Sequence, residues 1–242
     1  MEIKILHLFY DLMNLYGEYG NINILVSRLE DQGVRVIVDK KSIGDEIDFD
    51  SYDFIYCGSG TEKNQLVALD YLKKYKTQLE KAIKDNKHML FTGNSFEMFG
   101  NKLTQTDGDV IELLGLIDFD VTNTKDRVTG DVILKGSVFG REAIGFINKE
   151  SYIENYNDFL FDVIFGVGAN KENTKEGIRK NNLFGTYVIG PVLIKNPDFL
   201  NYFVEEIIAS KDNNFEFKDR EYKNEEEGYK LVLEELKARI NK

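Results

Sequence analysis

The stretch Lys87–Gly100, KHMLFTGNSFEMFG, constrains the fold more than any other part of the chain. Met89, Leu90 and Phe91 form a short apolar run, and that pattern suits a strand covered on both faces. The run stops at Thr92-Gly93-Asn94-Ser95, and a new apolar pattern starts at Phe96, Met98 and Phe99. This predicts a buried strand turning sharply into a helix. In an α/β sheet such an elbow lifts one side chain above the sheet edge and aims the helix amides at it, the geometry used for nucleophiles.

The chain before the elbow alternates strand and helix. Ile3, Ile5 and Leu8 mark a strand, and Ile22, Leu25, Val26 and Leu29 then recur at helical spacing until Gly33 supplies a stop. Val34, Val36 and Val38 mark a second strand, and strand-helix-strand argues for a parallel sheet. After a polar connection over 40–52, Phe54-Ile55-Tyr56-Cys57 reads as another strand buried on both faces. Gly58-Ser59-Gly60 leads into a long amphipathic stretch from Asn64 to Asp85, carrying Leu66, Leu69, Leu72, Leu79 and Ile83. A glycine turn before a helix leaves amides free for an oxyanion or a phosphate. Neither a Lys-Ser/Thr phosphate-loop ending nor a complete GxGxxG follows, so a tight turn without a ligand is an equally open reading.

The second half is strand-rich. Leu114–Ile117, Val132–Leu134, Ala143–Ile147, Phe159–Phe165 and Phe184–Ile189 read as short strands between glycines, asparagines and charged turns. Asn196-Pro197 opens a helix with Phe199, Phe203, Ile207 and Ile208, and Glu225–Ile240 gives a last amphipathic helix. With no repeat or low-complexity linker, we expect one domain over 1–210 and a charged segment plus helix over 211–242 packed on it. A chain of 242 residues that is 42% hydrophobic can supply the core.

A net charge of −11 argues against a phosphate-backbone binder, so no nucleic-acid partner is expected. No apolar run approaches the roughly 20 residues that span a bilayer, and the chain opens directly on a strand pattern, which suggests a cytoplasmic protein. A single cysteine, Cys57, excludes an intrachain disulfide, and two histidines, His7 and His88, leave little for a metal site. Both histidines are expected to be structural, and no metal or cofactor is expected.

Gly93-Asn94-Ser95-Phe96-Glu97-Met98-Phe99-Gly100 resembles, without gaps, the nucleophile elbow of class I glutamine amidotransferases, whose cobyric-acid-synthase (CobB/CobQ) branch typically reads Cys-Gly-Gly-Tyr-Gln-Met-Leu-Gly. The cysteine column falls on Gly93. Met13–Ile22, Arg127–Asp131, Gly145-Phe146, Phe165–Gly168 with Asn170, Lys175–Gly177 and Phe184–Pro191 are similar, in the same order, to one subgroup. That subgroup is the glutaminase subunit, GatD, of lipid II isoglutaminyl synthase, and the match covers roughly residues 3 to 208.

The resemblance implies a three-layer, flavodoxin-like α/β fold with a mostly parallel sheet and an antiparallel extension. Members of the family hydrolyse glutamine with a cysteine-histidine pair and pass ammonia to a partner, here a Mur-ligase-like ATP-dependent synthetase. The family's histidine lies in Gly-Thr-Tyr-Leu-His-Gly-Pro, where this chain reads Gly185 to Pro191 with Ile189 in the histidine column. By the same resemblance Gly58, Ser59 and Gly60 form the oxyanion loop, and Arg127 helps to hold the charged end of glutamine. Glu97 replaces the usual glutamine beside the elbow, and Asn94 and Glu97 are expected with these residues to line the ligand site.

Neither nucleophile nor base is present, and losing one such residue costs about a million-fold in turnover. The expectation is therefore a protein without catalytic residues that binds the synthetase partner, or glutamine or a related small molecule. The alternative is an active subunit that supplies ammonia for amidation of a cell-wall precursor or a cobyric-acid-type carboxylate. It would use a substitute nucleophile, for which Ser95 and Cys57 are the candidates. A third reading lets the glycine at the elbow open room for a bulkier ligand.

Overall fold

The computed structural model describes residues 1–136 and 138–240, so the last two positions of the expected 211–242 segment lie outside it. The parallel half is built from β1 (Glu2–Leu8), α1 (Tyr19–Asp31), β2 (Arg35–Lys41), β3 (Phe54–Cys57), α2 (Glu62–Lys73), α3 (Lys76–Lys84) and β4 (His88–Thr92). β5 (Lys102–Thr104) and β6 (Val110–Glu112) form a small hairpin, and β5 also pairs with β7 (Asp120–Gly136). Then come β8 (Ala143–Glu154), β9 (Phe159–Phe165), β10 (Lys175–Lys180), β11 (Leu183–Thr186) and β12 (Val188–Ile189). The chain closes with α4 (Val192–Lys195), α5 (Pro197–Lys211) and α6 (Lys223–Ile240).

Among the described residues the strands make one sheet in the order β12-β8-β7-β9-β10-β11-β4-β3-β1-β2. The run from β2 to β11 is parallel, with Leu6 beside Ile55 and Ile55 beside Met89, and from β10 onward the neighbours are antiparallel. The β1-to-β2 and β3-to-β4 crossovers travel in opposite directions across the sheet, so right-handed connections put α1 and the α2–α3 pair on opposite faces. This is the expected α/β architecture with its antiparallel extension. β3 and β4 are fully buried along their length, as their uninterrupted apolar runs require.

Four local expectations are corrected. The amphipathic stretch 64–85 is two helices, broken at Lys74-Tyr75, where Tyr75 packs against Phe49 and accepts a hydrogen bond from the Ile47 amide (3.1 Å). The helix after the elbow is only a seven-residue 3-10 segment, Gly93–Phe99, because the chain enters β5 at Lys102. Leu114–Ile117 is not a strand: Gly115 has φ +60°, and the amides of Leu114, Leu116 and Ile117 bond instead to the carbonyls of Met98 and Phe99. The run Phe184–Ile189 is two strands. At the break the Glu176 carboxylate accepts from the Tyr187 amide and the Thr186 hydroxyl, both at 2.8 Å, and the chain passes from β4 to β8.

The segment after α5 returns across α1. Gln32 exchanges two hydrogen bonds with the Lys218 backbone, and Arg28 lies 3.3 Å from the Tyr222 ring centroid. α6 then covers the antiparallel half, where Tyr229 and Leu236 pack with Ile133 and Ile144 in a small core of their own. Among the described residues no helix is long and apolar enough to cross a membrane.

Candidate functional site

The loops at the carboxyl ends of β1, β3 and β4 meet where open α/β sheets bind ligands. The segment Met13–Glu18 drops onto the loop after β3, with the Leu15 amide bonded to the Ser59 carbonyl (2.9 Å). Gly58 permits this approach, because a β-carbon there would lie 2.5 Å from the Met13 carbonyl oxygen. Ser59, Gly60, Asn94 and Glu97, with Gln65, Arg127, Lys149 and Ser151, line a cavity of about 190 Å³ above the elbow.

Gly93 sits at the turn with φ +60°, a conformation that costs a residue with a β-carbon roughly 1–2 kcal/mol. Space is the harder limit. A β-carbon built on Gly93 would lie 2.3 Å from both Cβ and Oγ of Ser59, so the Ser59 side chain fills the volume that a side chain at 93 would need. Asn94 acts on the same loop: its Oδ1 accepts the Gly60 amide (3.1 Å) and lies 3.5 Å from the Ser59 hydroxyl. The Gly60 amide, an oxyanion donor by resemblance, is thereby occupied.

Ile189 is buried at the end of β12, and the next residue ties it to the elbow. The Glu18 carboxylate accepts from the Gly190 amide (3.0 Å), the Tyr56 hydroxyl (2.8 Å) and the Thr92 hydroxyl, spanning the residue after Ile189 and the residue before Gly93. Burial pushes the Glu18 carboxyl upward against these hydrogen bonds.

Glu97 is buried under the cavity. It accepts from Gln65 Nε2 (2.6 Å), the Tyr187 hydroxyl (2.7 Å) and the Ser151 hydroxyl, and burial raises its pKa. Lys149, only 3% exposed, lies 3.6 Å from the Tyr152 ring centroid and donates to the Ser151 carbonyl, and burial lowers its pKa to about 7. Burial lifts Glu176 to about 7. Charged residues are ordinarily exposed, so nothing in the pattern around Glu18 and Glu176 marks them as buried. The alternation along β8, which puts Ile147, Lys149 and Ser151 on its buried side, is the one signal that could have found Lys149.

Arg127 stands at the cavity mouth, where it is already paired. It contacts Glu62 and Glu150, both at 2.7 Å, and donates to Asn148 Oδ1 at 2.8 Å. Ser95 does not cap its helix: its fully buried hydroxyl is within reach of the Thr92 (2.8 Å) and Cys57 (3.1 Å) carbonyl oxygens, beneath the turn. Cys57 is fully buried, which holds its thiol far up in the protonated form. Among the described residues no group of three or more metal-ligating side chains comes together.

Residues 4–197 match the CobB/CobQ-like glutamine amidotransferase domain. The chain belongs to that family. It is 36% identical over 235 residues to the GatD subunit of lipid II isoglutaminyl synthase (glutamine-hydrolyzing) of Staphylococcus aureus (strain N315), covering 96% of each chain. The protein of the same name from Streptococcus pneumoniae (strain ATCC BAA-255 / R6) is 30% identical over 213 residues, with 87% of this chain and 82% of that one covered. Among solved structures, a glutamine amidotransferase superposes with TM-score 0.56 at 12% identity, covering 84% of this chain and 98% of that one. A glutamine amidotransferase from Thermotoga maritima gives 0.53 at 10% identity, covering 95% and 93%. These structures support the fold.

Proposed function

We propose that this chain is a glutamine-amidotransferase-like subunit without glutaminase activity, which serves a Mur-ligase-like, ATP-dependent synthetase as a binding partner. The observation that carries the reading is the Ser59 side chain at 2.3 Å from any β-carbon at position 93. Two further features support it: Asn94 occupies the Gly60 amide, and Ile189 offers no proton acceptor. The substitute nucleophiles are poor, since Ser95 bonds beneath the turn and the Cys57 thiol is held protonated. The relatives are named as subunits, which supports a partner.

The test is ammonia release from glutamine by the purified chain, alone and with the ligase-type protein that co-purifies with it. We expect no release above buffer from the wild type or from the Gly93→Cys/Ile189→His double variant, in which the new thiol collides with Ser59. Adding Ser59→Gly and Asn94→Gly clears both obstructions, and measurable glutaminase activity is expected only then. Activity in the wild type overturns the catalytic part of the reading. Failure to recover any ligase-type partner overturns the interaction part.

A further inference from the structure

A groove of about 420 Å³ lies between α6, α4 and the start of β8, on the antiparallel half of the molecule, and shares no lining residue with the elbow cavity. That size falls within the range of small-molecule sites, roughly 300–1,000 Å³. Its apolar lining comes from three elements: Ile144 on β8, Ile194 on α4, and Tyr229, Val232 and Leu236 on α6. Ile144, Tyr229 and Leu236 are buried, whereas Ile194 and Val232 each keep 45% of their surface exposed. Exposed aliphatic surface continuous with a concavity is of the kind that receives a ligand.

The charges that line the groove differ in what they leave open. Asp131 pairs with Arg239 at 2.6 Å, and Glu225 pairs with Arg28. Lys195, half-buried at the end of α4, makes neither a hydrogen bond nor an ion pair among the described residues. Burial pulls its pKa down, against the charges of Asp131 and Glu18. An ammonium taken partly out of water without a partner is costly, and an anion brought to it offsets that cost. The unpaired charge of the lining is therefore positive.

Gly228 is a second, independent mark. It lies inside α6, where glycine is less stable than alanine, yet a β-carbon there would meet no atom within 4 Å beyond its own helix turn. Packing within the chain does not require a glycine at this position. Its missing side chain leaves the groove clear, since Gly228, Val232 and Leu236 recur at i, i+4 and i+8 on the helix face that lines it.

We infer that the α4–α6 groove binds a small monoanion with an apolar body, of the class of medium-chain carboxylates, with its chain along Ile144, Val232 and Gly228 and its carboxylate against Lys195. A lining this apolar, with a single open cation, does not suit a sugar or a polyphosphate. The inference is independent of the catalytic state of the elbow.

The experiment titrates sodium decanoate into the full-length wild-type chain by isothermal titration calorimetry, with sodium octanoate and decylammonium chloride in parallel. Saturable binding of decanoate at one site per chain is expected, with a Kd below about 0.1 mM. Each buried methylene contributes about fourfold, so octanoate should bind roughly tenfold or more weakly. Decylammonium, with the same chain and the opposite charge, should bind at least about tenfold more weakly than decanoate. Lys195→Met keeps an apolar stem and removes the charge, and it should weaken decanoate about tenfold and narrow the gap to decylammonium. Gly228→Leu fills the open space, and it should weaken decanoate about tenfold while the melting temperature stays level or rises. Absence of saturable decanoate binding overturns the inference. So does equal affinity for decylammonium, or decanoate binding that either substitution leaves unchanged.

Discussion

The closest coupling in the site joins Ser59 and Gly93, two residues on different loops whose fit can be measured. Gly93→Ala combines a positive φ with a 2.3 Å contact, and we expect it to cost about 2–4 kcal/mol in urea unfolding. In a Ser59→Gly background the cost should fall by about 1 kcal/mol or more, and additive effects would show that the two side-chain volumes are independent. From the sequence, the positions of Gly93 and Ile189 at the ends of strands were legible: the structure has Gly93 at the turn after β4 and Ile189 at the end of β12. The sequence did not disclose the Ser59 contact, which arises only when the loops after β3 and β4 meet. Nor did it disclose that Arg127 is engaged by Glu62 and Glu150, because those partners stand on α2 and β8.

Among elements, those with one environment along their length were read well and those that change neighbours were not. β3, β4 and β9 have the expected boundaries to within a residue or so, because hydrophobic alternation or continuity reports burial on one or two faces. The run Phe184–Ile189 is made mostly of strand-forming residues, so composition could not show that a buried carboxylate from β10 interrupts it. α6 was legible as an amphipathic helix, but its charged face turns out to be pinned. Arg141 bridges Glu226 and Asp198, Lys237 pairs with Glu142, and Tyr229 donates to the Glu142 carbonyl (2.7 Å). Exposed pairs of this kind contribute little each, so the small apolar core should dominate. Tyr229→Ala is expected to destabilise the protein by about 3 kcal/mol, whereas Lys237→Ala should cost under about 1 kcal/mol, both read by thermal or urea unfolding.

For the molecule as a whole, buried ionisable groups make stability depend on pH in opposing ways. The folded pKa of Glu176 is raised from 4.5 to about 7, so the native state holds its proton more tightly than the unfolded chain. The stability this contributes is complete below about pH 4.5 and is lost as pH rises through 7. Burial lowers both His7 and His88 from 6.5 to about 4, which favours the neutral rings, so their contribution is present above 6.5 and is lost as pH falls toward 4. Glu176→Gln removes the first effect and leaves the histidines in place, while withdrawing a carboxylate that favours the Lys149 ammonium. Between pH 5 and 7 the variant should therefore gain stability relative to wild type by up to about 3 kcal/mol, and a difference that stays flat would refute the assignment. The same packing bears on how this site could be re-engineered. The left-handed turn at Gly93 suits the one residue without a side chain, the Ser59 side chain fills the space above it, and Asn94 occupies the neighbouring amide. On the proposed reading, a thiol at 93 needs Ser59 to give up its volume and Asn94 to release the Gly60 amide, so a gain of hydrolysis here calls for coordinated changes at three positions, where a single substitution at 93 meets a filled space.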